Sequence, residues 1–120
     1  MTSLMVPIDA ESAQDPNLVK VVVSMDNHAL YFSRSSIPYE RKPLENRCIY
    51  GHVGLYAYTK DFLLKFASLE PTPLEMAESL EQLRVLEHGY RIKMVEIADR
   101  PLGVDTEEDL QRARRIIENS

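Results

Sequence analysis

The sequence predicts an α/β layered fold in which one sheet is flanked by helices. Three observations lead there. Short β-branched or alternating apolar runs recur along the chain, at residues 3–8, 19–24, 29–34, 51–58 and 90–97. Two long stretches between and after them carry helical spacing and N-terminal caps. The order that results, β, ββ, β, αα, β, α, suits a layered sheet and not a bundle.

Each element has its own signal. "SLMVPI" (residues 3–8) reads as a strand that begins almost at the first residue. Residues 9–17 are polar and end in "DPN", a turn or a short helix. "VKVVVS" and "ALYFSR" are strands joined by the turn "MDNH", so they form a hairpin. Residues 35–49 hold two prolines and many charges and read as a loop or arm. "GHVGLYAY" (residues 51–58) looks like a strand buried on both faces.

Thr59 is placed to cap a helix over residues 60–68. A second helix starts at Thr72, with Pro73 at its first position and Glu75 completing a capping box. Leu74, Ala77, Leu80, Leu83 and Leu86 form its predicted apolar face, and Gly89 ends it. "YRIKMVEI" alternates like a strand with one packed face. Thr106 caps a last helix whose first turn, Glu107, Glu108 and Asp109, suits the helix dipole.

Composition narrows the function. The chain has 120 residues, 44% hydrophobic and 28% charged, as expected of one modest globular domain. A net charge of −5 gives no reason to expect nucleic acid or anionic membrane as a partner. No apolar run approaches a bilayer span, and no signal peptide is evident. Cys48 is the single cysteine, which excludes a disulfide framework and reads as a small buried or half-buried hydrophobe. Together these favour the cytoplasm. Walker, dinucleotide-fingerprint, GxSxG and HExxH motifs are all missing.

What remains is a set of polar residues at the ends or middles of apolar elements. Arg34 closes a strand, where a guanidinium can grip a carboxylate or phosphate or simply finish the strand as a surface charge. His52 enters an apolar strand, as a hydrogen-bonded core residue or a donor to a sugar hydroxyl. Tyr56 and Tyr58 share its face parity and read first as core. Glu81 and Gln82 fall mid-helix, either solvated or as the carboxylate and amide of a polyol pocket. Asp105 precedes the cap at Thr106. It is either dipole decoration or one half of a magnesium site that needs a second carboxylate elsewhere.

The stretches "ALYFSRSSIP", "HVGLYAY", "PLEMAESLEQLRVLEHGYRI" and "GVDTEEDLQRAR", with the opening "LMVPIDAESAQDPNLVKVV", resemble 3-deoxy-manno-octulosonate cytidylyltransferase (CMP-Kdo synthetase). The resemblance covers nearly the whole sequence and corresponds to the C-terminal portion of that family. It implies a partial nucleotidyltransferase fold, GT-A-like and Rossmann-like, with three layers, a mixed sheet and a β-hairpin dimerisation region. The implied reaction transfers cytidylate from CTP to Kdo, giving CMP-Kdo and pyrophosphate for lipopolysaccharide synthesis, with Mg2+. By the same resemblance Arg34, His52, Tyr56, Glu81 and Gln82 are sugar contacts, Asp105 is a magnesium ligand, and the protein is a homodimer.

The family's N-terminal nucleotide loop and its "QGDEP"-like aspartate have no counterpart here. Residues 1–120 are therefore expected to supply the sugar side and part of the metal site, to be inactive alone, and to have their exposed apolar sheet surface stabilised by self-association or by the missing half. Two other readings stay open. One is a non-catalytic remnant or dimerisation module, and the other is a related synthetase acting on sialate.

Overall fold

A computed structural model describes residues 1–43 and 48–98. Its centre is a five-stranded sheet of β1 (Thr2–Ile8), β2 (Lys20–Val23), β3 (Ala29–Ser33), β4 (Ile49–Ala57) and β5 (Lys93–Glu96), in the order β3-β2-β4-β1-β5. The sheet is mixed. β1 runs parallel to β5 and antiparallel to β4, while β2 is antiparallel to both β3 and β4. The expected hairpin is β2–β3, and Asn27 in its turn takes a left-handed φ of 61°. The tip of that hairpin bends back onto the far edge strand. His28 bridges Lys93, the Ala29 N–H donates to the Ile92 carbonyl, and the Met94 N–H donates to the Asn27 carbonyl. The two sheet edges thus meet at one point.

Residues 9–17 contain a short 3-10 helix, Ser12–Gln14. Helix α1 (Lys60–Ser68) follows β4, and the Thr59 side chain accepts from the Phe62 N–H at 3.1 Å, the expected cap. The single helix expected after Thr72 is two helices, α2 (Pro73–Glu78) and α3 (Gln82–Glu87). Glu75 Oε1 accepts from the Thr72 N–H at 3.1 Å at the start of α2. The break is at Ser79, whose φ of 55° and ψ of 49° stop the helix.

That break re-aims the apolar face. Leu74 and Ala77 are exposed; Leu80 and Leu83 are buried, and Val85 is fully buried although the helical spacing did not single it out. Glu81 and Gln82 accordingly sit at the head of α3 and not mid-helix.

The core joins α3 to one face of the sheet: Leu80, Leu83 and Val85 pack with Met5, Val21, Val23, Phe32, Ile92 and Met94. Phe62 and Phe66 of α1 lean on it from the rim. Three further expectations change. β4 is buried only over its first half, through Val53; Gly54, Leu55 and Ala57 are exposed, because β2 pairs with β4 only as far as Gly51. Tyr58 is exposed and not core. Cys48 is exposed, since it precedes β4 and only its neighbour Ile49 turns inward.

Candidate functional site

β1 and β4 together create a polar point inside the apolar core. Met5 pairs with His52, so the imidazole lies on the face that α3 covers. His52 is 7% exposed, and the Phe32 ring packs edge-on against it at 4.8 Å. Burial pushes its pKa down to about 4, so the ring is neutral near pH 7. Both ring nitrogens have partners: Nε2 lies 2.8 Å from Ser3 Oγ and Nδ1 3.4 Å from Gln82 Nε2.

The next residues outward open to solvent. Tyr56 is on the same strand, its ring 5.5 Å from that of His52 and stacked on Tyr58 at 6.3 Å. A cleft of about 80 Å3 is lined by Met1, Tyr56, Tyr58, Phe66, Glu81 and Gln82. Burial, with Tyr58 and Glu81 adding to it, pushes the Tyr56 phenol up to about 12. It is therefore a neutral hydroxyl on a residue that lines the cleft together with Glu81 and Gln82. The cleft holds roughly two or three water volumes. It can take hydroxyl-sized groups from one end of a ligand, with the remainder outside.

Arg34 is placed differently. Its guanidinium spans the break between α2 and α3: Nε donates to the Glu78 carbonyl at 2.8 Å, Nη2 to the Ser79 carbonyl at 3.2 Å, and Nη1 to the Pro16 carbonyl at 3.2 Å. The Glu78 carboxylate answers by accepting from the Arg34 N–H at 3.0 Å and the Tyr31 hydroxyl at 3.1 Å. Burial raises the Glu78 carboxyl, but hydrogen bonds from Ser33, Arg34 and Tyr31 outweigh it and hold the group below its ordinary value. Lys20, fully buried at the start of β2, donates from Nζ to the carbonyls of Asp15 and Arg34 at 2.8 and 2.5 Å. This cluster pins the helix break to the hairpin.

The sequence-predicted residues therefore fall into two groups. His52, Tyr56, Glu81 and Gln82 come together at one cleft and its floor. Arg34 lies at the helix junction that precedes Glu81. Asp105 lies outside the described residues, and among the described residues no group of three His, Cys, Asp or Glu side chains is placed to hold a metal ion. Sequence reasoning missed Ser3 and Lys20. The signal for Ser3 was its parity with Met5, a hydroxyl on the inward side of an apolar strand.

The fold is of the nucleotidyltransferase-like α/β class. It superimposes on a solved CMP:2-keto-3-deoxy-manno-octonic acid synthetase complexed with CTP, with a TM-score of 0.89 and 42% identity, covering 98% of this chain and 48% of that one. Residues 1–94 match the cytidylyltransferase family, and the chain belongs to that family. Similar proteins include the 3-deoxy-manno-octulosonate cytidylyltransferase of Synechococcus elongatus, 54% identical over 114 residues, which cover 94% of this chain and 47% of that protein. The enzyme of the same name from Wolinella succinogenes is 50% identical over 124 residues, covering all of this chain and 50% of the relative. The chain spans about half the length of the curated relatives it matches.

Proposed function

We propose that this chain forms the sugar-binding part of a cytidylyltransferase that joins CMP from CTP to 3-deoxy-D-manno-octulosonate (Kdo) and releases pyrophosphate. The observation that carries this reading is the cleft lined by Tyr56, Glu81 and Gln82 together with apolar and aromatic side chains. That mixture of a donor and acceptors on a partly apolar wall suits a polyhydroxylated ligand. The identity to proteins named for this reaction supports the choice of sugar.

In this reading Tyr56, Glu81 and Gln82 contact the sugar directly. His52 supports Gln82 from below, and Arg34 holds the α2–α3 junction that presents Glu81. The residues hold the anomeric hydroxyl for attack on the α-phosphorus of CTP, so their contribution is mainly orientation. Mg2+, with Asp105 as one carboxylate ligand, would neutralise charge on phosphate oxygens. The product serves lipopolysaccharide synthesis in the cytoplasm. A homodimer would cover apolar side chains such as Leu30 and Leu55, which are exposed here.

Calorimetric titration of Kdo into the chain tests the reading. Binding is expected to weaken about 10-fold in Glu81→Ala and in Gln82→Ala. Sialate should compete poorly. A folded chain that does not bind Kdo, or that prefers sialate, overturns the assignment.

A further inference from the structure

Ser3 is 1% exposed and its hydroxyl has three neighbours. His52 Nε2 and the Leu55 carbonyl each lie at 2.8 Å, and the Val53 carbonyl at 3.2 Å. A serine hydroxyl has one proton to give, and a carbonyl can only accept. If that proton pointed at the imidazole, the Ser3 and Leu55 oxygens would face each other at 2.8 Å with nothing between them. The proton therefore goes to Leu55, with Val53 sharing it, and the ring nitrogen must be the donor to Ser3. The neutral ring carries one proton, so Nδ1 is bare and accepts from the Gln82 amide nitrogen at 3.4 Å. The amide is thereby turned with its nitrogen towards the core.

We propose that Ser3 is a positioning residue for the cleft. It holds His52 as the Nε2–H tautomer, and through it orients Gln82 so that the amide oxygen stands beside the Glu81 carboxyl as an acceptor for ligand hydroxyls. The tautomer follows from the hydrogen-bond geometry around Ser3 and the neutrality of the buried ring, whereas its use in sugar binding rests on the proposed function.

Long-range 1H–15N correlation on 15N-histidine-labelled protein tests the first part, with His52→Gln assigning the signals. The wild-type chain should show Nε2 protonated and Nδ1 bare. Ser3→Ala should lose this single-tautomer signature and bind Kdo about 10-fold more weakly. Ser3→Thr, which keeps the hydroxyl, should retain the tautomer and bind Kdo within about twofold of wild type. If Ser3→Ala does not fold, Ser3→Cys takes its place, since a thiol of similar size is a poor acceptor. A wild-type ring protonated at Nδ1, or a hydroxyl-free variant with unchanged nitrogen shifts, overturns the proposal. An intact Nε2–H tautomer in a chain that binds no Kdo upholds the tautomer and overturns the sugar reading.

Discussion

The depressed pKa of His52 makes stability depend on pH in a window that few other groups share. In the unfolded chain the imidazole titrates near 6.5, and in the folded chain near 4. Above about pH 6.5 it is neutral in both states, and its full contribution to stability is present. As pH falls below that, the unfolded chain takes up a proton that the folded one refuses. Stability is lost until the folded pKa is reached, and it then levels off. The shift of roughly 2.5 units corresponds to a total of about 3 kcal/mol.

Between about pH 7.5 and pH 5.5 the expected loss is ~1.3 kcal/mol from the two pKa values. The paired carboxyls Glu75 and Glu78, held below their ordinary values, stay ionised over that interval and add little. Urea unfolding of wild type and His52→Gln at both pH values measures the difference, which cancels every other titrating group. If the two proteins lose stability in parallel, His52 is not buried as a neutral ring, and the floor of the cleft is built differently.

Three further outcomes are expected. Arg84 grips Glu75 through Nε at 2.9 Å and Nη2 at 2.5 Å, and Glu75 also accepts from Thr72. Glu75→Ala should therefore destabilise by about 3 kcal/mol in thermal unfolding, and a cost within error of zero would refute the pairing. Lys20→Met leaves the Asp15 and Arg34 carbonyls without their shared donor. A loss of about 2 kcal/mol is expected, with faster proteolysis of residues 9–17; equal stability would show the ammonium to be dispensable. A Cβ at Gly51 would meet Ile8 Cγ2 at 3.0 Å and Leu18 Cδ1 at 3.4 Å, so Gly51→Val should cost roughly 1–3 kcal/mol by chemical denaturation, and a stabilised variant would contradict the packing of β4 against Ile8 and Leu18.

The sequence by itself determined the elements whose signals are local. Apolar or β-branched runs marked β1, β2 and β3, alternation marked β5, Thr59 marked the start of α1, and Thr72 with Pro73 marked the start of α2, because caps and periodicities act within a few residues. It also contained the residues of the cleft, since the stretches around His52, Tyr56, Glu81 and Gln82 resemble one family. Only the tertiary structure decided where those residues sit and what they touch. The left-handed turn at Ser79 ended a helix that spacing would have continued, and so moved Glu81 and Gln82 to a helix start. Burial of His52 against Phe32, and its contacts with Ser3 from 49 residues away and Gln82 from 30, made the ring a support for the cleft. The exposure of the second half of β4 depended on how far β2 extends beside it. Hydrogen-bond partners, desolvation and strand coverage are relations between residues distant in the chain, and they take definite values only once the sheet has paired and α3 has closed over it.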